Sequence, residues 1–347
     1  MSSNTSTGPG DGPIRWIVDH LQLKQTDSSE FIYANAASQS GEGLAVIYQP
    51  FDATRRGHFV DRGQILDYAL HTDGGGVLDF GPGDGWPSLL IAPMVKEIVG
   101  VEGCQRRADV CSENARRLGL TNARFVCVQP GKPLPFEDGS FDSAVAASSL
   151  EQTPDPQATL AELHRVLKPG GRLRFDYESL SRYRGGQERA ISLWLREGDQ
   201  TRMIVFDRRV DDEYVDHYGL VIGLSRADVE GVFERHGAEA KYEGLTPAVL
   251  TDLSTHLVEA ACWTTRHPSC RTWLTWLRVV GFSEARPTYD GGWFARRLFD
   301  RVGEPGRPGD MEAVDEYLRP LVEVVITMEA PSGSTPGQWD HTITAVK

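Results

Sequence analysis

Two rhythms of apolar residues divide the chain. Between residues 76 and 177, short runs that are apolar almost throughout alternate with segments in which apolar side chains recur every three or four positions. The runs at 76–80, 98–102, 125–128, 141–147 and 172–177 predict strands, and the segments 87–96, 106–118 and 160–167 predict helices between them. Gly119 follows the second helix, and Lys168-Pro169-Gly170-Gly171 closes the third. Strands apolar along their length and separated by helices call for a parallel sheet covered on both faces.

Outside that stretch the rhythm weakens. Residues 1–13 hold too little apolar surface to pack and are expected to be a mobile tail. A prelude over 14–70 combines helical patterns at 14–23 and 64–70 with a glycine-containing aromatic stretch at 31–59. After residue 177 the patterns predict helices at 188–196, 226–236, 246–261, 271–280 and 313–321, with a strand at 201–207. Two segments, 282–287 and 322–328, compete to be the sixth strand, and 341–346 would close the sheet. The expected organisation is a core at 71–180, a helical lid or substrate-binding insertion at 181–270, and completion of the sheet within 271–347.

Composition narrows the class. A chain of 347 residues, 40% hydrophobic and 24% charged, buries about three quarters of its unfolded surface without disulfides. Its 36 Lys and Arg against 49 Asp and Glu leave a charge of -13, which opposes phosphate neutralisation and argues against a nucleic-acid partner. Five cysteines, at 104, 111, 127, 262 and 270, suit free thiols in a reducing compartment. No run of 18 apolar residues exists to span a bilayer, and the N-terminus resembles neither signal nor anchor. The expectation is a cytoplasmic chain with no membrane partner, its oligomeric state open and a homodimer among the alternatives.

Candidate chemistry centres on a glycine loop. Gly81, Gly83 and Gly85 fall between a predicted strand and a predicted helix, where a tight turn brings backbone N–H groups to a ligand. The spacing is G-x-G-x-G, not the dinucleotide fingerprint G-x-G-x-x-G, because Trp86 takes the third glycine's place. Asp79 precedes the loop, and Glu102 ends the next strand, where a carboxylate can accept from both hydroxyls of a ribose.

Four landmarks stand in order: Val77-Leu78-Asp79-Phe80-Gly81-Pro82-Gly83-Asp84-Gly85, then Glu102, then Leu134-Pro135-Phe136-Glu137-Asp138-Gly139-Ser140-Phe141-Asp142, then Arg165-Val166-Leu167-Lys168-Pro169-Gly170-Gly171. With that spacing, segment 77–177 resembles the catalytic core of class I S-adenosylmethionine-dependent methyltransferases. The resemblance implies a doubly wound, mostly parallel seven-stranded sheet and S-adenosylmethionine as methyl donor. It assigns the methionine end of the cofactor to Asp79, Gly81, Pro82, Gly83 and Gly85, and the ribose to Glu102. Gln129, Pro130 and Gly131 would flank adenine, with Ser148 beneath the sulfonium. Two positions depart from the family pattern. Pro130 replaces an adenine-binding Asp, whose place Gln129 or the Gly131 backbone would take, and Gln152 stands where many relatives carry His.

Methyl transfer from a sulfonium needs alignment of a nucleophile, exclusion of water and, for a protonated acceptor, a general base. His217, in the aromatic and acidic segment Tyr214-Val215-Asp216-His217-Tyr218, is the leading candidate base, ahead of His58 and His256; His164 is read as structural. Cys262, His267 and Cys270 offer zinc-type ligands but lack paired C-x2-C elements, so ordinary thiols are the preferred reading and no metal is expected. Arg182, Arg184 and Arg189 could receive an anionic substrate. Trp194, Trp263, Trp273, Trp276 and Trp293 could line a pocket for an apolar or aromatic small molecule, although Trp273 and Trp276, three apart on a helix, equally suit a core.

Overall fold

The computed structural model describes residues 12–26, 51–180, 189–196, 199–208, 213–303, 306–330 and 341–347. Most of the expected tail and of the aromatic stretch 31–59 lie outside the described residues. Helix α1 (Pro13–His20) and strand β1 (Lys24–Gln25) precede the long helix α2 (Arg56–His71). The alternating part follows as β2 (Gly76–Phe80), α3 (Ser88–Ile91), β3 (Glu97–Glu102), α4 (Gln105–Arg117), β4 (Ala123–Cys127), β5 (Phe141–Ala147), α5 (Pro156–Val166) and β6 (Leu167–Asp176). Next come β7 (Arg189–Arg196), β8 (Gln200–Arg208), β9 (Tyr214–Ile222), α6 (Arg226–Arg235), α7 (Pro247–Ser254) and β10 (Leu257–Arg266). The chain ends through α8 (Cys270–Val280), β11 (Glu284–Tyr289), α9 (Gly291–Arg301), α10 (Met311–Val325) and β12 (His341–Val346).

Seven strands form one sheet in the order β11-β12-β6-β5-β2-β3-β4. Strands β2 to β6 are parallel, and β12 runs antiparallel to both of its neighbours, β6 and β11. From β2 the chain winds outward through β3 and β4, then crosses back to β5 and winds the other way. The sheet is therefore doubly wound and mostly parallel, as predicted. Its switch point lies beyond the carboxyl ends of β2 and β5, where open sheets of this kind bind ligands. Alternation along each strand feeds two cores: Leu78, Val99, Ala144 and Ala146 pack with Leu163 and Trp273 on one face, and Val77, Ile98 and Val145 pack with Ile65 and Tyr68 on the other.

An internal ion pair fixes the far half of the sheet. Arg174 on β6 is fully buried, pairs with Asp67 of α2, and donates to Thr288 Oγ1 and Thr344 Oγ1 at 2.7 Å each. Asp67 also accepts the Gly291 N–H at 2.7 Å, so one guanidinium–carboxylate pair joins α2, β6, β11, β12 and α9.

Two compact units emerge, 32–182 with 268–347 and 1–31 with 183–267. The prelude thus splits: Ile14 and Ile17 of α1 belong to the core of the smaller unit, with Met203, Leu220 and Phe233, while α2 belongs to the larger. The smaller unit holds a second sheet in the order β1-β10-β9-β8-β7.

Two segment readings are corrected and one left open is decided. Of the segment 188–196, expected to be helical, the described residues Arg189–Arg196 form β7, because Ile191 and Leu193 alternate toward the core of the smaller unit and the strand pairs antiparallel with β8. Residues 246–261 are helical only through α7; the β-branched and aromatic run from Leu257 becomes β10. The contest for the sixth strand goes to β11, since Val314, Leu318, Val322 and Val325 bury one helical face of α10. Among the described residues no helix is long and apolar enough to cross a membrane.

Candidate active site

The carboxyl ends of β2, β3 and β5 bring the glycine loop, Glu102 and Ser148 to the switch point. Gly81 (φ 79°), Gly83 (φ 60°) and Gly85 (φ 111°) all occupy the left-handed region. At Gly81 the reason is also steric: a Cβ there would sit 2.5 Å from the Cβ of Ser149. The Gly81 N–H donates to Val101 O at 2.8 Å and the Ser149 hydroxyl to Phe80 O at 2.5 Å, pinning the loop to β3 and to the end of β5.

Two carboxylates lie behind this loop. Glu102 is buried, and its oxygens accept the Gly83 N–H at 3.0 Å and the Cys104 N–H at 3.1 Å. Burial raises its pKa, against the opposing charge of Arg107 and those amides. Asp79 is fully buried on β2, where Ser88 Oγ donates to its Oδ2 at 2.5 Å and Oδ1 has no partner. Loss of hydration pushes this carboxyl up to about 7, Ser88 opposing and Glu102 adding to the rise. A buried carboxylate oxygen without a donor suits a cationic ligand group, and Glu102, held from one side by two amides, retains lone pairs for hydroxyl donors.

Three neighbours of this cradle, Tyr68, Glu151 and Asp176, escaped the sequence reading. Ser148 takes a left-handed conformation (φ 45°), an uncommon one for serine. Its hydroxyl donates to Asp176 Oδ2 at 2.9 Å, while Tyr68 donates to Asp176 Oδ1 at 2.5 Å. Tyr68 meets Trp86 edge-on at 5.9 Å, and its phenol is held well above its ordinary pKa by burial and by Asp176. Glu151 is buried with Oε1 accepting the Glu178 N–H at 2.8 Å and Oε2 without a partner; burial lifts it to about 8. An acidic residue closing the fifth strand was the available signal for Asp176. Nothing in the pattern marked Tyr68, which reaches the site from α2.

Beyond β4, the Val128 N–H donates to Glu102 O at 2.9 Å, and Lys132 N–H closes a turn onto Gln129 O at 3.1 Å. Gly131 (φ 76°) makes that turn possible, with Pro130 before it and Gln129 exposed. That turn begins one residue after the Val128 contact with the tip of β3. Gln152, exposed, donates to Ser148 O at 2.6 Å.

The remaining candidates are divided between the two units. His217 is buried on β9 of the smaller unit, stacked on Trp263 at 5.0 Å with Nδ1 3.1 Å from Val215 O. His58 Nδ1 accepts the Asp52 N–H at 3.0 Å; His164 meets Phe282 edge-on at 5.0 Å; His256 is exposed between α7 and β10. Cys262 donates to Gln25 Oε1 and His267 lies 3.2 Å from Thr265 Oγ1, both in the smaller unit, while Cys270 is buried in the larger. Among the described residues no three His, Cys, Asp or Glu gather to hold a metal ion. Arg182 and Arg184 lie outside the described residues, and Arg189 pairs with Asp207 at 3.0 Å. Of the tryptophans, Trp273 is fully buried in the sheet core beside Trp276, the core alternative that their spacing offered, Trp263 packs under His217, and Trp293 stacks on Tyr289. The side chain of Trp194 lies outside the described residues.

Comparison with known proteins adds an independent line. A family model for a methyltransferase domain matches residues 78–175. An uncharacterized methyltransferase, YcgJ, of Bacillus subtilis is 37% identical over 98 residues, 28% of this chain and 38% of its own. A ubiquinone/menaquinone biosynthesis C-methyltransferase, UbiE, of Geotalea uraniireducens is 34% identical over 111 residues, 29% of this chain and 45% of its own. The chain spans less than half the length of either relative. Among solved structures, the CcbJ methyltransferase of Streptomyces caelestis aligns with 83% of this chain and 95% of its own at 12% identity and a TM-score of 0.46.

Proposed function

We propose that the chain is a class I S-adenosylmethionine-dependent methyltransferase, on the methyltransferase-domain match over residues 78–175, and that it transfers the methyl group of S-adenosylmethionine to a nucleophilic atom of a small molecule. The observation that carries this reading is the cradle at the ends of β2 and β3: a left-handed glycine loop between a buried, half-partnered Asp79 and an amide-held Glu102.

When bound, S-adenosylmethionine supplies an activated methyl group on a sulfonium. Asp79, with one oxygen held by Ser88, presents the other to the cationic amino group of the methionine end. Gly81, Pro82, Gly83 and Gly85 keep bare backbone at that end. Glu102 accepts the ribose hydroxyls and would repel a ribose phosphate; the G-x-G-x-G spacing, with Trp86 in the third glycine's place, is what departs from a dinucleotide fingerprint. The turn at Gln129, Pro130 and Gly131 borders the adenine. Ser148, fixed by Asp176, which is itself fixed by Tyr68, lines the reacting end. These are positioning duties, which suffice for displacement at an already activated carbon.

The small-molecule acceptor rests on the charge of -13, which disfavours nucleic acid, and on the quinone biosynthesis named for one relative. His217 is assigned to the core of the smaller unit, on its stacking against Trp263 and its burial. The test is incubation of the full chain with methyl-labelled S-adenosylmethionine and a dialysate of cell extract. Label in solvent-extractable products with matching release of S-adenosylhomocysteine supports the reading. Label confined to protein, with undialysed extract as source, transfers the assignment to a protein methyltransferase, and no label anywhere refutes turnover.

A further inference from the structure

At the opposite edge of the sheet, where β2, β5 and β6 begin, lies a cavity of about 380 Å³ lined by His71, Asp73, Asp142, Ser143, Lys168 and Arg172 among others. It shares no residue with the glycine cradle. Two of its lining side chains are more than nine-tenths buried and carry a polar atom without a partner: His71 Nε2, at the end of α2, and Ser143 Oγ, on β5. A buried hydroxyl and a buried ring nitrogen left unpaired cost stability unless something in the cavity satisfies them.

The groups around them are rich in donors. Lys168 pairs with Asp142 at 2.6 Å, using one of three ammonium donors, and Asp142 also accepts the Gly76 N–H at 2.8 Å. Arg172 approaches Asp73 at 3.4 Å, a loose contact for a guanidinium with five donors. Both carboxylates are thus engaged by neighbours, while both cations keep donors to spare. Behind His71 stands Arg174. Burial, and after it the charges of Arg174 and Arg172, holds the imidazole well below its ordinary range, so that it stays neutral at pH 7. The partners of half-exposed surface ion pairs exchange at small cost. A ligand suited to this cavity is small and rich in acceptors.

We propose that the amino-terminal edge of the sheet is a second binding site, separate from the cofactor cradle, for a small oxyanion: the phosphate or carboxylate group of a metabolite seated on Ser143 and His71 and clamped by Lys168 and Arg172. The larger unit contains every residue of the site.

Calorimetric titration of the full chain at pH 7 and constant ionic strength tests this, with inorganic phosphate and acetate as separate probes. A saturable one-site isotherm with a dissociation constant of about 1 mM or tighter is expected for at least one probe. The probe that binds decides between the phosphate and the carboxylate source. Ser143→Ala, which deletes a hydroxyl with no protein partner, and Arg172→Gln should each weaken binding about tenfold or more, while Asp79→Asn should leave it unchanged. Absence of saturable heat from both probes would mean that the cavity holds only water and would overturn the proposal. So would isotherms that survive both Ser143→Ala and Arg172→Gln, or that vanish with Asp79→Asn.

Discussion

Replacing Asp79 by Asn separates the two demands placed on this residue, stability and cofactor binding. In the fold the carboxyl rises from its ordinary 3.8 to about 7 because it is fully buried. An acid whose pKa is raised by folding stabilises the native state fully below the unfolded value and loses that contribution as pH climbs through the folded one. The window here runs from about 4 to 7. A displacement of about three pH units at about 1.4 kcal/mol each means that holding Asp79 ionised at pH 8 costs about 4 kcal/mol. The Asn variant is neutral throughout. Its amide adds a buried donor whose unpaired cost of about 1–3 kcal/mol is independent of pH. The stability difference between variant and wild type should therefore grow by about 4 kcal/mol between pH 4 and pH 8, whatever its offset. Urea unfolding across that range, read as the midpoint at constant slope, measures it directly. A difference that stays flat with pH would refute the burial argument. The same substitution should weaken S-adenosylhomocysteine binding by about 30-fold or more, the cost of stranding a buried cationic partner.

Other substitutions probe the surrounding structure. Gly81→Ala forces a side chain into a left-handed backbone and against Ser149, and should cost about 1–3 kcal/mol in urea unfolding as well as cofactor affinity. Arg174→Leu leaves Asp67 buried beside a lost partner, and a loss of about 3–5 kcal/mol by the same assay is expected. Glu151→Gln repeats the logic of Asp79 with a window from the ordinary 4.5 to about 8: it should raise the melting temperature relative to wild type at pH 9 more than at pH 5. A shift equal at both pH values would count against a titrating Glu151.

The parts of this fold visible in the sequence are those set by local pattern. Strand β2 and its glycines, Glu102 at the tip of β3, and the close of α5 at Lys168-Pro169-Gly170-Gly171 follow from apolar runs and turn residues next to one another in the chain. The smaller unit was not legible in this way. In the short run 190–195 the set Ala190, Ile191, Trp194 and Leu195 fits a helix and the set Ile191, Leu193 and Leu195 fits a strand, and only pairing with β8, a tertiary event, decides the matter. Likewise Val322 to Met328 alternates locally, yet Val314 and Leu318 upstream commit the segment to α10. The site shows the same division. Asp79 and Glu102 announce themselves beside a glycine loop, whereas Tyr68 joins Asp176 across 108 positions of sequence, a contact that no spacing rule reveals. His217 drew attention by its aromatic and acidic neighbours. In the fold those neighbours are part of strand β9, and Trp263 of the adjoining strand β10, far away in sequence, stacks on the imidazole.

The central claim is that Asp79, the glycine loop and Glu102 together hold S-adenosylmethionine. Isothermal titration of the full chain with S-adenosylhomocysteine at pH 8, beside the Glu102→Ala variant, tests it most directly. One-site binding by the wild type is expected, with a loss of about tenfold or more in the variant, from two hydroxyl bonds to a charged acceptor. No binding by the wild type, or equal binding by both proteins, would contradict it.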